Sequence, residues 1–332
     1  MSSGPHDAAE RVIGIDLGGT TFAVGVFDRA GRKLAGGEYD TPRASADPQV
    51  VLRALDAAVQ AVRDDVGVAP EALRAIGIGI PGPVDPATGT VLMCPNLHVL
   101  DEVPVGPELG KLAGVPCHIG NDAYCATLAE LRYGAGRDVE NMVMLTLGTG
   151  IGGGVALGNR VVRGPRQILG EIGHVIVDPR GPRCGCGSFG CVEALAGKQG
   201  ITDDALRRLQ GGRPSRLAAV APAELDPRCI AEAAREGDEV ALAVLARTGN
   251  LIGIALCSAI VLTDPDLIVL GGGIAAAGDL LLDPVRRTVA ARCRIGRGFD
   301  VSRIVPAALG NQAGMCGAAA LAWEQSGHVC ER

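Results

Sequence analysis

The chain has 332 residues, of which 47% are hydrophobic and only 2% are aromatic, and its formal net charge is −6. This length is enough for two domains of ordinary size, and cores filled by Ala, Val, Leu and Ile suit helices packed on a β-sheet. The negative charge and the absence of a basic block do not favour nucleic acid as a partner.

The N-terminal segment, MSSGPHDAAER, has neither the basic nor the apolar segment of a signal peptide. The longest strongly apolar run extends from Leu251 to Leu262 and is too short to cross a bilayer, so it predicts a buried helix. We therefore expect a soluble, cytoplasmic protein without a membrane partner.

The first ordered segment covers residues 12–28. Two β-rich stretches flank Gly18-Gly19, and this pattern predicts a hairpin with a glycine-rich bend. A helix is predicted from about Pro48 to Val66, where apolar residues recur three and four positions apart. The next predicted elements are, in order, a buried strand over 75–80, a strand over 115–119 and a helix over 123–132.

The opening pattern returns at residue 143 as VMLTLGTGIGGGVALGNRVVRG. When the two segments are aligned, Leu17 and Gly18 fall on Leu147 and Gly148, and both copies are predicted as strand, glycine bend and strand. A repeated hairpin in each half of the chain predicts two similarly built domains. The remaining predicted elements are helices over 202–210, 229–235 and 238–262, a strand over 267–273 and a last helix over 313–325.

Three apolar strands run into glycine clusters, at Asp16 to Thr20, Gly148 to Gly154 and Gly271 to Gly273. Glycine lets backbone N–H groups approach phosphate oxygens closely, and three such bends favour phosphate binding over tight turns alone. Neither a P-loop nor a Rossmann motif is present, because no GxxxxGK[ST] occurs and the Gly148 segment leads into a β-like stretch. Hydroxyl donors can come from Thr20, Thr21 and Thr149.

Asp16 is a carboxylate at the end of an apolar strand, directly before the first glycine pair. Beside a polyphosphate it would be repelled unless a cation lay between them. We expect it to orient Mg²⁺ through water, and the alternative is an Asp that stabilises the turn.

Eleven cysteines are present, and four potential metal ligands lie close together in one segment: His174, Cys184, Cys186 and Cys191. Three thiols and one imidazole form the closed tetrahedral set typical of structural zinc. The rival interpretation is three free thiols in a loop. Most of the other cysteines lie singly among apolar or small residues and are interpreted as small buried hydrophobic side chains.

The segments IGIDLGGT, GIPGPVD, PNL, GNDA, TLGTGIGGG, GEIGH and CGCGSFGCVE together resemble the ROK family of sugar kinases and transcriptional repressors, from Val12 to about Trp323. The resemblance implies an α/β protein of the actin-like (ribonuclease H-like) ATPase fold, with two similarly built domains around a cleft. It also implies ATP with Mg²⁺, a structural zinc and a homodimer. We expect a small domain over 1–120, joined by the C-terminal helix of about 313–332, and a larger domain over 121–312.

The resemblance also implies roles for individual residues. Asp122, in the NDA segment, would take the proton from the sugar hydroxyl, although Asp is also a favoured N-cap for the helix that follows. His174 would place one ring nitrogen on zinc and the other toward the sugar. The other implied sugar ligands are Asn96, Asn121, Asp122, Glu171 and Glu193, and the implied nucleotide-binding residues are Asp16, Gly18, Gly19, Thr20, Thr21, Gly148, Thr149, Gly150, Gly271 and Gly272.

Glucokinases are the branch that this sequence most resembles, so the expected reaction is phosphorylation of glucose at its 6-hydroxyl. N-acetylmannosamine, N-acetylglucosamine and fructose are alternative substrates. The sequence departs from the family at Thr21, where relatives usually have Lys or Asn, and at RGPRQIL, which borders the expected sugar pocket. A repressor would need a DNA-binding module before the first strand, where only the short segment MSSGPHDAAER stands. A sugar-binding protein without catalysis would be expected to lack Asp122 or the glycine bends, and both are present.

Overall fold

The computed structural model describes residues 10–295 and 298–327. The strands are β1 Arg11–Leu17, β2 Thr21–Phe27, β3 Lys33–Asp40, β4 Leu73–Ile80, β5 Val84–Asp85, β6 Thr90–Val91, β7 Cys117–Asn121, β8 Met142–Leu147, β9 Ile151–Leu157, β10 Arg160–Val161, β11 Leu267–Gly271 and β12 Ile304–Pro306. The α-helices are α1 Pro48–Asp65, α2 Val105–Ala113, α3 Asp122–Tyr133, α4 Val192–Ala196, α5 Lys198–Gln210, α6 Pro227–Arg235, α7 Glu239–Thr263, α8 Asp279–Arg292 and α9 Ala313–Gln325.

These elements form two compact units. Unit 1 contains the described residues up to Arg137, Gly164–Gln167 and the described residues from Asn311 onward, and unit 2 contains Asp138–Arg163 and Ile168–Gly310 without the gap at 296–297. Helix α3 belongs to unit 1 by its contacts with α9, although the predicted domain boundary at 120 precedes it. Residues 1–9 of the predicted first domain and 328–332 of the predicted last helix lie outside the described residues.

Each unit is built on one mixed five-stranded sheet, and the two sheets have the same topology. The strand order is β3-β2-β1-β4-β7 in unit 1 and β10-β9-β8-β11-β12 in unit 2. In both, the first strand of an antiparallel hairpin (β1–β2 or β8–β9) pairs with a parallel strand, β4 or β11, and that strand pairs in turn with a further parallel strand, β7 or β12. The predicted α/β class and the predicted repeat of the hairpin are therefore confirmed.

The last helix, α9, packs on β1 and β4 of unit 1 with unusually close backbone contact. A Cβ added to Gly77 would lie 2.7 Å from the carbonyl carbon of Ala318, and one added to Gly14 would lie 2.8 Å from Ala319 N. This approach is possible because the sheet positions are glycines and the facing residues of α9, Ala318, Ala319 and Ala322, have small side chains.

We expect Gly77→Ala to lower the free energy of unfolding by about 3 kcal/mol, because backbone on both sides must move to admit the methyl group. Gly79→Ala is the matched control on the same face of β4, since its Cβ would make an ordinary contact, 3.4 Å from Cys125 Sγ. Urea unfolding of the two variants measures the difference. Equal stability of both would contradict the close packing of α9.

The longest helix, α7, lies in the core of unit 2. It packs on α8 at Gly249 and Gly253, where an added Cβ would lie 2.6 Å from Pro284 Cβ and from Thr288 Cβ respectively. Among the described helices, α7 is the one long and apolar enough to cross a membrane, yet most of its apolar window is buried inside the protein. The prediction of a buried helix for Leu251 to Leu262 holds for most of that segment, although Val261 and Leu262 at its end are exposed.

Candidate active site and metal centre

Asn121 and Asp122 stand where β7 ends and α3 begins. Asn121 is the N-cap of α3, because its Oδ1 accepts hydrogen bonds from Ala123 N at 2.9 Å and Tyr124 N at 3.2 Å. Its Nδ2 donates to the carbonyl of Gly82 at 3.0 Å. The alternative interpretation of Asp122 as the N-cap is therefore wrong, and the Asp122 carboxylate is not needed to cap the helix.

Asp16 and Asp122 lie at the same edge of the unit 1 sheet. The strands β1, β4 and β7 are parallel, with Asp16 opposite Gly79 and Gly79 opposite Gly120, so their carboxyl ends meet at this edge. Burial raises the pKa of Asp122, although hydrogen bonds to its carboxylate, including that from Ala123 N at 2.7 Å, oppose the rise. Burial and the negative charge of Asp122 together raise the pKa of Asp16 to about 6. Two carboxylates at such an edge are candidates for proton transfer and for holding a divalent cation.

Ionised Asp16 is a cost to stability at neutral pH. Its native-state pKa is raised, so the native protein binds more protons than the unfolded chain between pH 3.8 and about 6, and stability falls as pH rises through that window. We expect Asp16→Asn to raise the free energy of unfolding at pH 7 by up to about 3 kcal/mol, and to change it little at pH 4. Urea unfolding at both pH values tests this. A variant that is less stable than the wild type at pH 7 would contradict it.

The first glycine turn, between β1 and β2, is held by Thr41 at the end of β3. Gly18 N donates to Thr21 O at 2.9 Å and closes the turn. Thr41 Oγ1 donates to Gly18 O at 2.9 Å, and Thr41 N donates to Thr20 O at 2.8 Å. Thr41 is buried, has no local motif of its own and is not among the predicted site residues.

Asn96 lies against this turn. A Cβ added to Gly19 would be only 2.6 Å from Asn96 Cβ, so glycine is required there for the two segments to touch. The structure thus brings together a predicted sugar ligand and a predicted phosphate-binding turn, and both Asn96 and Thr20 are exposed.

The second and third glycine segments meet in unit 2. Gly148 N donates to Gly150 O at 2.9 Å and closes the turn between β8 and β9. Gly271 pairs with Thr146 on the neighbouring strand, and a Cβ on Gly272 would lie 2.7 Å from Leu147 N. Gly272 has φ +85°, in the region that favours glycine. The segments predicted to bind phosphate and adenosine therefore share one sheet edge.

The four predicted metal ligands converge. Their ligand atoms, His174 Nδ1 or Nε2 and the sulfurs of Cys184, Cys186 and Cys191, all lie within 4.8 Å of one another. Cys184 Sγ is 3.7 Å from His174 Nδ1, and Cys186 Sγ is 3.7 Å from Cys191 Sγ. Two thiolates bound to one tetrahedral zinc at about 2.3 Å lie about 3.8 Å apart, so the separation between Cys186 and Cys191 fits zinc.

The local backbone explains this convergence. His174 ends a 3-10 turn, Ile172–His174, and Cys191 is the residue before α4. Between them, Cys184 N donates to Ser188 O and Gly187 N donates to Cys184 O, which folds Cys184 and Cys186 back on the other two ligands. Four protein ligands would leave a zinc ion no open position, so such a metal would organise structure.

Two carboxylates flank the metal ligands. Glu171 Oε2 lies 4.0 Å from His174 Nε2, and Glu193 Oε1 lies 3.9 Å from His174 Nδ1. His174 therefore presents Nδ1 to the thiols and to Glu193, and Nε2 to Glu171. The other oxygen of Glu193 accepts a hydrogen bond from Ile151 N at 2.9 Å, at the start of β9.

The predicted site residues thus form one group in each unit, and their roles as ligands stay predictions. The unit 1 group is Asp16, Gly18, Gly19, Thr20, Thr21, Asn96, Asn121 and Asp122, and the unit 2 group is Gly148, Thr149, Gly150, Glu171, His174, Cys184, Cys186, Cys191, Glu193, Gly271 and Gly272. Like Thr41, Gly314 borders the site without having been predicted: a Cβ added to it would lie 2.5 Å from Asp16 Cγ.

Two mixed five-stranded sheets of the same strand order, with glycine turns at their edges, match the actin-like ATPase fold of solved ROK kinases. A model described as the ROK family matches residues 12–325, and the chain belongs to this family.

Three similar proteins illustrate the range of the family. A glucokinase from Thermotoga maritima is 34% identical over 320 residues, which cover 96% of this chain and 98% of the relative. A ROK family glucokinase from Streptomyces griseus, solved in complex with glucose and AMPPNP, is 34% identical in sequence, with a TM-score of 0.80. The match covers 95% of this chain and 99% of that protein's chain. The structure of a ROK family transcriptional regulator, a homologue of the Escherichia coli MLC protein, has a TM-score of 0.84 and 30% sequence identity. The match covers 96% of this chain and 79% of the regulator's chain.

Proposed function

We propose that this protein is an ATP-dependent sugar kinase that transfers the γ-phosphoryl group of ATP to the 6-hydroxyl of glucose. The similarity to glucokinases over nearly their whole length supports this reaction. The observation that carries the proposal is the environment of Asp122. Its carboxylate is buried, has a raised pKa and lies at the same sheet edge as Asp16, and Asn121 rather than Asp122 is the N-cap of α3.

In this mechanism Asp122 is the general base. Its carboxylate accepts the proton of the sugar 6-hydroxyl while that oxygen forms a bond to the γ-phosphorus, and the bond from that phosphorus to the bridging oxygen of ADP breaks. A raised pKa makes a carboxylate a stronger base, provided that it is ionised at the working pH. The products are glucose 6-phosphate and ADP.

The remaining residues position the two substrates. Asn121, whose Nδ2 donates to Gly82 O, would contact sugar hydroxyls together with Asn96, Glu171, His174 and Glu193. The glycine turns at Gly18 to Thr21 and Gly148 to Gly150 would offer amides to the phosphates, and Gly271-Gly272 would lie at the adenosine. Asp16 would orient Mg²⁺, which neutralises phosphate charge when bound.

His174, Cys184, Cys186 and Cys191 would hold zinc, which would fix the segment that carries Glu171 and Glu193. No step of the reaction passes through this metal. A homodimer and a cytoplasmic location stay predictions.

A panel of sugars with coupled detection of ADP tests the proposed reaction. We expect turnover with glucose and ATP, and much lower kcat/KM with fructose, N-acetylmannosamine and N-acetylglucosamine. Polyphosphate in place of ATP, with detection of the sugar phosphate, identifies the donor. Activity on an N-acetylated hexose and none on glucose would reject glucose as the substrate while keeping the kinase.

The similarity to a transcriptional regulator supports a second candidate, a sugar sensor without catalysis. Calorimetry with glucose separates the two. A sensor would bind glucose and release no ADP in the presence of ATP and Mg²⁺, whereas the proposed kinase would turn over.

A further inference from the structure

Glu193 connects two parts of unit 2 that are distant in sequence. It follows Cys191 by two residues, in the first turn of α4. Its Oε1 accepts a hydrogen bond from Cys184 Sγ at 3.5 Å and lies 3.9 Å from His174 Nδ1. Its Oε2 accepts from Ile151 N at 2.9 Å. One carboxylate therefore touches both the metal ligands and the turn between β8 and β9.

The turn between β8 and β9 leaves space for the Glu193 carboxylate. Gly150 has no side chain, and a Cβ there would lie 3.3 Å from Glu193 Cδ, with the carboxylate oxygen closer still. Lys198 N, at the start of α5, donates to Gly148 O at 3.1 Å and supports the other end of the turn. Thr149, between these two supports, is exposed. The backbone of the turn is thus held from the side of α4 and α5 while its tip faces solvent.

Removal of the carboxylate would leave the Ile151 amide without its acceptor. Ile151 is only 1% exposed, so water cannot easily replace Glu193. A buried donor that loses its partner is costly, and a hydrogen bond to an ionised acceptor is among the stronger ones. The position of Gly148 to Ile151 therefore depends on Glu193.

We infer that Glu193 is a positioning residue that transmits the order of the metal cluster to the turn at Gly148 to Ile151, and thereby sets the affinity of that turn for a nucleoside triphosphate. Metal ligation would fix Cys191, the residue before α4, and thereby the first turn of α4, which carries Glu193. The Oε2 of Glu193 in turn accepts from Ile151 N and holds the turn between β8 and β9. The inference rests on the proposed function for the identity of the ligand, and on the contacts of Glu193 for the coupling itself.

The experiment compares Glu193→Ala with Glu193→Gln, in which the side-chain oxygen can still accept from Ile151 N. Two quantities are measured without sugar: hydrogen exchange of the Ile151 amide, and the Kd of a non-hydrolysable ATP analogue with Mg²⁺ by calorimetry. We expect Glu193→Ala to accelerate the exchange and to weaken the Kd, each about tenfold, which corresponds to about 1.4 kcal/mol. Glu193→Gln should restore both quantities to near wild-type values.

Glu171→Gln is the matched control, because it alters the carboxylate on the Nε2 side of His174 and should leave the exchange of Ile151 unchanged. The Ile268 amide, in the buried centre of β11, is the internal reference for general unfolding. Wild-type protein treated with a zinc chelator should show faster exchange at Ile151 and unchanged exchange at Ile268. Equal acceleration at both amides, or none at Ile151, would overturn the coupling to the metal.

Wild-type exchange and wild-type Kd in Glu193→Ala would overturn the positioning role. The proposed function can fail separately. If Glu193→Ala accelerates the exchange of Ile151 while the analogue binds neither the wild type nor the variant, the positioning of the turn is supported and ATP is rejected as its ligand.

Discussion

Asp122→Asn is expected to lower kcat by about 10²–10⁴-fold while sugar affinity stays close to that of the wild type and stability at neutral pH is not lowered. An amide of the same shape cannot accept the proton of the sugar hydroxyl. The fold should tolerate it, because Asn121 caps α3 and the new Oδ1 can still accept from Ala123 N. Steady-state kinetics gives kcat, and calorimetry with glucose gives the affinity.

Asp65→Asn is the control, since Asp65 is an exposed carboxylate at the end of α1 and should have wild-type kinetics. Two outcomes would contradict the role of Asp122. Near-normal turnover in Asp122→Asn would remove it from the chemistry. A lower melting temperature together with lost sugar binding would make it a structural residue.

Cys186→Ser is expected to remove zinc and to lower stability and activity together. Cys186 is the exposed ligand of the cluster, so the substitution itself disturbs the core little. A hydroxyl is a poor zinc ligand, and the metal content should fall from about one ion per chain to a small fraction. Structural zinc contributes about 10–16 kcal/mol in small zinc-finger peptides. If about 3 kcal/mol is lost here, the melting temperature falls by roughly 6–12 °C.

Metal analysis, thermal unfolding and kinetics on the same preparation measure these three effects. Cys257→Ser is the control, because Cys257 is a half-buried thiol on α7 outside the cluster. Wild-type protein that is fully active and contains no zinc would show that the cluster works as thiols alone.

The sequence predicted the elements whose patterns are long or sharply bounded. The hairpins β1–β2 and β8–β9 were predicted because apolar strands flank glycine pairs, and α1 and α7 because their apolar residues follow the helical period. The elements it missed carry weak patterns. Strand β3 reads KLAGGEYD, helix α2 reads VGPELGKLA, and α4 has only five residues. Because these elements are short or contain glycine and proline, their local propensities are weak, and tertiary packing determines their structure.

In the candidate site, residues that lie close together in one segment could be predicted, whereas helix caps and contacts between distant residues could not. The four metal ligands were predictable because they lie in one short segment, and they do converge. The N-cap of α3 was not, because Asn121 and Asp122 are both favoured capping residues and only the backbone conformation distinguishes them. The contacts of Thr41 with Gly18 and of Glu193 with Ile151 join residues 23 and 42 positions apart, and no sequence pattern marks them.

The packing of α9 has a consequence for how the chain is made. Its residues follow all of unit 2 in the sequence, yet it covers β1 and β4 of unit 1. During synthesis, the face of these strands that receives α9 therefore stays bare until α9 itself has left the ribosome. Unit 2, whose segments are complete by Gly310, can mature earlier. Until α9 docks, the backbone of these strands at Gly14 and Gly77 has no cover on that side, and contacts that form this late favour incompletely packed folding intermediates.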